Sequence, residues 1–88
     1  MTWRSELSHD AERQLARLPR DVQQRIARAL DEIETDPFQG DVIPLKGRRW
    51  QGRYRKRVGR YRIIFMLYRA EQIVEISAIV VRDEGTYR

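Results

Sequence analysis

Residues 54–68 read YRKRVGRYRIIFMLY, and this stretch decides the fold. Two runs of strand-forming residues flank Gly59 and Arg60, and a glycine at the first central position suits a two-residue type II′ turn. The pattern therefore predicts a β-hairpin, with one strand over residues 54–58 and the other over residues 61–68.

The register of this hairpin sorts the side chains onto two faces. With Gly59 and Arg60 as the turn, Arg57 lies directly opposite Arg62, and side chains alternate between the faces along each strand. One face carries the apolar residues and forms the core, while the other carries a cluster of guanidinium groups from Arg53, Arg55, Arg57 and Arg62. Like charges in directly opposite positions cost stability, so this arrangement favours a phosphate between the two guanidinium groups.

The chain before the hairpin predicts two amphipathic helices. Apolar residues recur three and four positions apart in residues 11–18 and again in residues 22–33. Ser8 suits the N-cap of the first helix, Pro19 suits the first turn of the second, and the joint between the helices is tight. The second helix ends before the next proline, and residues 37–44 are predicted to be a loop.

Two further strands complete the predicted architecture. Residues 73–81 have the composition of a third strand, and residues 2–7 of an N-terminal strand. The fold class is therefore α+β: an N-terminal strand, an α-helical hairpin and a three-stranded antiparallel meander, with both helices on one face of the sheet. At 88 residues without an internal repeat, residues 1–88 are predicted to form a single domain.

Charge and composition limit the classes of partner that the chain is expected to bind. The net charge is +5, and nine of the 18 Lys and Arg residues lie in residues 46–62, KGRRWQGRYRKRVGRYR, with no Asp or Glu among them. This density favours an anionic partner, and nucleic acid before others. The absence of cysteine excludes disulfides, and a single histidine leaves no convincing metal-ligand set. With no apolar run long enough for a membrane span, we expect a cytoplasmic protein without a cofactor.

The order of short motifs along the chain resembles that of a known family. PLKG at residues 44–47 is followed after six residues by YRKRVGRYRIIF, and the last strand continues into VVRDEGTYR. In this order, after a helical hairpin, the chain resembles the RelE/ParE superfamily of toxins from type II toxin–antitoxin systems nearly from end to end. The resemblance is closest to the RelE-like mRNA interferases, and it implies their small microbial ribonuclease fold.

The resemblance also implies an activity and its residues. It implies a metal-independent endoribonuclease that cuts mRNA in the ribosomal A site, where the ribose 2′-hydroxyl attacks the adjacent phosphate. It further implies an antitoxin partner, in a toxin–antitoxin hetero-oligomer. The positions that match the family's catalytic groups are Arg55, Arg57, Arg62, Arg82 and Tyr87. The remaining cations of the basic segment are predicted RNA contacts: Lys46, Arg48, Arg49, Arg53 and Lys56.

One departure from the family affects the chemistry. RelE itself carries lysines at the positions that match Arg55 and Arg57, and a guanidinium remains protonated where a lysine can act as a base. Lys46 and Lys56 are the only lysines here, so the general base is not evident. Trp50, within the basic segment, has two interpretations: it stacks on a base or it covers the end of the sheet.

Two other functions remain open from the sequence. A ParE-like toxin shares the fold and inhibits DNA gyrase through protein contacts, without a nuclease site. A non-catalytic RNA-binding module would bind RNA in a salt-sensitive way and cut nothing.

Overall fold

The computed structural model describes residues 2–81 and confirms the predicted α+β class. Its elements, in chain order, are β1 (Arg4–Leu7), α1 (His9–Ala16), α2 (Arg20–Thr35), β2 (Val42–Pro44), a 3₁₀ turn (Arg48–Trp50), β3 (Arg53–Val58), β4 (Tyr61–Tyr68) and β5 (Ile73–Val81). The strands form one sheet in the order β1-β5-β4-β3-β2, in which β1 runs parallel to β5 and every other pair is antiparallel. None of the helices in residues 2–81 is long and apolar enough to cross a membrane.

The helical hairpin begins and ends where its capping residues predict. The Ser8 hydroxyl accepts a hydrogen bond from the Ala11 amide at 3.1 Å and donates one to the Ser77 carbonyl oxygen of β5 at 2.9 Å. The N-cap of α1 therefore also ties this helix to the sheet. Pro19 occupies the N-cap position of α2, one residue before the first turn in which the sequence predicts it, and α2 ends at Thr35, two residues before Pro37.

Both helices pack on one face of the sheet and bury a single core. Ile26 and Ile33 of α2 meet Ile63 and Phe65 of β4, and all four side chains are fully buried. Burying an aliphatic or aromatic side chain of this size contributes about 1.5–3 kcal/mol each, so this cluster dominates the stability of a small domain. The opposite face of β3 and β4 carries the arginines together with Ile64 and Met66, which pair with Arg55 and Arg53.

The β3–β4 hairpin has the predicted register, with Arg57 opposite Arg62 and Val58 opposite Tyr61. Gly59 has a φ of +58° at the first turn position, a conformation that glycine adopts without steric cost. The register fixes which face each arginine occupies.

One part of the sequence prediction is wrong, because the last three residues of the predicted loop form β2. In this strand Val42 pairs with Lys56 and Pro44 with Tyr54 of β3. A strand of three residues that ends in proline gives little sequence signal, and proline is tolerated there because β2 is an edge strand. The extra strand matters for the site, since it brings Asp41 beside β3, where its carbonyl oxygen accepts from the Arg57 amide at 3.0 Å.

Candidate nucleic-acid interface

The face of the sheet opposite the helices carries four arginines, which we call the arginine face: Arg53, Arg55, Arg57 and Arg62. Three of them alternate along β3, and Arg62 reaches the same face from β4 because it pairs with Arg57. The fold thus brings together the four arginines that the hairpin register predicts to share a face.

Asp41 is the residue of this site that sequence reasoning missed. Its Oδ1 lies 3.2 Å from Arg55 Nη1, and its Oδ2 lies 3.7 Å from Arg57 Nη1. Its carbonyl oxygen also accepts from Arg55 Nη1 at 3.3 Å. Although residues 46–62 contain no acid, one carboxylate from the preceding loop therefore partly neutralises two of the four guanidinium groups.

The signal for Asp41 lies in the register of β2. Because Val42 pairs with Lys56, the residue before it falls opposite Arg57. Predicting β2 as a strand would have placed an acid beside the arginine face, whereas predicting a loop left Asp41 without a position.

Burial distinguishes Arg55 from the other arginines of this face. Its side chain is 10% exposed, against 34% for Arg57. The Nε atoms of Arg55 and Arg57 are buried and have no hydrogen-bond acceptor among residues 2–81. A buried donor without an acceptor costs about 1–3 kcal/mol, so an anion that supplies acceptors here would be bound favourably.

Arg53 lies at the other end of the arginine face and has partners on β5. Its Nε donates to the Ser77 hydroxyl at 3.2 Å, and that hydroxyl donates to Glu75 Oε1 at 3.2 Å. Ser77 is available for this contact because β5 has a bulge there: Ile64 pairs with Ala78 while Phe65 pairs with Ile76. Arg53 is therefore oriented by the sheet itself.

The exposed cations lie beside this face on the segment between β2 and β3. Lys46 follows β2, and Arg48 and Arg49 lie on the 3₁₀ turn. The guanidinium carbon of Arg49 is 5.4 Å from the centroid of the Trp50 ring, within the range of a cation–π contact. Trp50 is half-buried and lines a pocket that also includes Arg55 and Arg62.

The structure corrects the prediction that Lys56 contacts RNA, because Lys56 does not lie on the arginine face. Its side chain points to the helical side of the sheet and is 4% exposed. There Nζ donates to the Gln39 carbonyl oxygen at 2.7 Å and lies 3.0 Å from Glu32 Oε1. The alternation of side chains along β3 puts Lys56 on the face opposite its neighbours Arg55 and Arg57.

Two predicted site residues, Arg82 and Tyr87, lie outside the described residues. The last described strand ends next to the arginine face, because Val80 of β5 pairs with Arg62. Across residues 2–81, no group of three or more His, Cys, Asp or Glu side chains is placed to hold a metal ion.

The chain matches one family model over most of its length. A model described as the ParE toxin of the type II toxin–antitoxin system, parDE, matches residues 6–84. Among proteins with curated descriptions, none matches this sequence.

Three solved structures with a similar fold are toxins or toxin–antitoxin complexes. The toxin–antitoxin complex RelBE2 of Mycobacterium tuberculosis matches with a TM-score of 0.83 and 19% identity, over 93% of this chain and 100% of that one. The archaeal RelE–RelB complex of Pyrococcus horikoshii OT3 matches with a TM-score of 0.79 and 27% identity, over 97% and 100%. The YoeB/ParE toxin of Agrobacterium tumefaciens matches with a TM-score of 0.77 and 17% identity, over 89% and 96%.

Proposed function

The chain belongs to the ParE toxin family of type II toxin–antitoxin systems, and from the geometry of its arginine face we propose that it cuts mRNA on the ribosome. The proposed reaction is attack of a ribose 2′-hydroxyl on the adjacent phosphate, which leaves a 2′,3′-cyclic phosphate and a 5′-hydroxyl. It requires no metal ion, because the nucleophile belongs to the substrate and the charge develops on a phosphate that arginines can bind.

The observation that carries the proposal is the opposed pair Arg57 and Arg62, with Arg55 beside them, on the face that the helices leave open. The pentavalent phosphorane is dianionic, and guanidinium groups bind phosphate oxygens with two parallel hydrogen bonds. Two opposed guanidinium groups repel each other, and a phosphate bound between them relieves this repulsion. Binding therefore strengthens as the charge on the phosphate grows, which is what stabilises a transition state.

We assign the roles by position. Arg57 and Arg62 bind the scissile phosphate, and Arg55 adds positive charge beside them. The resemblance to RelE supports Arg82 as a group that stabilises charge or positions the leaving oxygen, and Tyr87 as a base-stacking or proton-transferring residue. With arginine at both matched lysine positions, electrostatic stabilisation and substrate positioning supply most of the rate enhancement.

The proposed partners follow from the same family. A cognate antitoxin binds and neutralises the toxin in a hetero-oligomer, as the RelB–RelE complexes among the similar structures suggest. When free, the toxin acts on the ribosome and its mRNA in the cytoplasm. We also propose that residues 1–88 act as one domain, since both helices and the sheet share a single core.

A cell-free translation reaction tests this function. Primer extension on the mRNA compares the wild type with Arg62→Ala and with Arg28→Ala, which removes the same charge from an exposed position on α2. We expect new 5′ ends that depend on translating ribosomes, that disappear with Arg62→Ala and that persist with Arg28→Ala. Intact mRNA with unimpeded translation would refute the nuclease.

Two observations favour a second function. Asp41 neutralises part of the arginine face, and arginines replace the family's lysines, both of which weaken the case for chemistry. A ParE-like inhibitor of DNA gyrase needs neither an unneutralised arginine face nor a lysine that acts as a base. Supercoiling of a plasmid by purified gyrase in the presence of the toxin distinguishes the two functions. Only a gyrase inhibitor prevents the supercoiling, whereas an mRNA nuclease leaves it unchanged.

A further inference from the structure

A pocket of about 270 Å³ opens on the same side of the sheet as the arginine face. One wall is apolar and comes from β2 and the residue after it: Ile43, Pro44 and Leu45. The other walls carry Lys46, Trp50, Arg55 and Arg62. The pocket thus joins an indole, an aliphatic wall and three cations.

The pocket is continuous with the arginine face, because Arg55 and Arg62 belong to both. The Arg55 side chain is nine-tenths buried, and Asp41 holds its Nη1 at 3.2 Å. The position of this guanidinium in the wall is therefore fixed by the protein before any ligand binds. Arg49, 5.4 Å from the Trp50 ring centroid, similarly restrains the indole.

We infer that this pocket binds one nucleotide of single-stranded RNA, with its base stacked on Trp50 and its own phosphate bound by Lys46, while Arg62 in the shared wall binds the scissile phosphate beside it. The inference rests on the proposed function in one respect: the nucleotide is the neighbour of the scissile phosphate in the mRNA. The pocket then reads the base beside the cut and contributes to codon preference.

Three properties select a nucleotide over an acidic peptide. Aromatic stacking suits any base, because every base has a π face. The cations line one part of the pocket and the aliphatic residues another, which matches a ligand with a charged end and an apolar end. The volume of about 270 Å³ lies close to the lower end of the roughly 300–1,000 Å³ of small-molecule sites, so the pocket has room for one nucleotide and none for a folded segment.

Binding to a non-cleavable RNA tests the inference separately from the nuclease activity. The probe is a fluorescein-labelled trinucleotide with 2′-O-methyl riboses, which lack the hydroxyl needed for cleavage. Fluorescence anisotropy gives its affinity for the wild type, Trp50→Ala and Trp50→Phe. A second probe keeps the same sugars and phosphates but lacks the bases.

The expected result is a loss of about 5- to 150-fold in affinity for the first probe with Trp50→Ala, the range of one lost base stack. Trp50→Phe should keep most of the wild-type affinity for the first probe. The probe without bases should bind weakly, and equally, to the wild type and to Trp50→Ala. Circular dichroism on each variant checks that the fold persists.

Equal affinity of Trp50→Ala and wild type for the first probe overturns the inference. So does equal binding of the two probes, or complete displacement by an acidic peptide at the same concentration as the RNA. Trp50-dependent binding without any cleavage of mRNA by the wild type supports the pocket and refutes the nuclease. Cleavage by the wild type that Trp50→Ala leaves unchanged at every codon refutes the pocket alone.

Discussion

Replacement of Asp41 by asparagine should weaken the fold and strengthen RNA binding at the same time. Asp41 Oδ1 is 3.2 Å from Arg55 Nη1 and Oδ2 is 3.7 Å from Arg57 Nη1, so one carboxylate faces two guanidinium groups. Asparagine keeps the shape and one acceptor oxygen but removes the charge. The same carboxylate competes with a phosphate for these two side chains.

The loss of stability follows from the burial of the partners. An exposed ion pair contributes about 0.2–1 kcal/mol, and a hydrogen bond to a charged group contributes about 1.5–3 kcal/mol. Asp41 is 49% exposed while Arg55 is 10% exposed, so the interaction falls between these limits. We expect Asp41→Asn to lower the free energy of unfolding by about 1–2 kcal/mol, measured by urea denaturation.

The gain in RNA binding is measured through its salt dependence. Each phosphate neutralised on a single strand contributes a slope of about −0.7 in log K against log salt concentration. Releasing Arg55 and Arg57 from Asp41 should therefore make the slope steeper by roughly that amount. Glu71→Gln, in the turn between β4 and β5, is the matched control, because it removes the same charge from an exposed position. Unchanged stability together with an unchanged slope would refute this account of Asp41.

Substitutions at Lys56 and at Gly59 test the fold around the site. Lys56→Ala should destabilise the protein by about 2–4 kcal/mol, because it removes the hydrogen bond to Gln39 and leaves a cavity under the sheet; Glu32→Gln, which keeps the hydrogen bond to Gln39, should cost less. Equal losses for the two, in thermal unfolding, would contradict the importance of the Gln39 contact. Gly59→Ala should cost about 1–2 kcal/mol, because alanine is strained at a φ of +58° and its methyl group meets the Arg25 guanidinium. A variant as stable as the wild type in urea would show that the turn tolerates another conformation.

Much of the fold could be predicted from the sequence because its signals are local. Gly59 and the alternation on either side of it set the register of the hairpin, and that register alone places Arg57 opposite Arg62. Ser8 and Pro19 mark the helix starts for reasons of backbone hydrogen bonding and fixed φ. Each of these signals acts within a few residues along the chain.

What could not be predicted depends on contacts between distant segments. Asp41 meets Arg55 only because a three-residue edge strand pairs with β3, and nothing in residues 42–44 alone indicates that pairing. Alternation along β3 places Lys56 on the helical face, but its ion pair with Glu32 and its hydrogen bond to the Gln39 carbonyl oxygen depend on how α2 and the residues after it pack there. In both cases tertiary structure decides which charges meet.

The terminal groups of the mRNA fragments are the most direct test of the proposed nuclease reaction. Purified ribosomes carrying an mRNA with a defined codon in the A site are mixed with toxin, and the fragments are examined for their terminal groups. We expect a 2′,3′-cyclic phosphate and a 5′-hydroxyl, formed only on ribosomes, with a rate reduced by about 10²–10³ in Arg62→Ala, as for loss of one transition-state donor. Intact mRNA with the wild type, or fragments with a 5′-phosphate, would contradict this expectation.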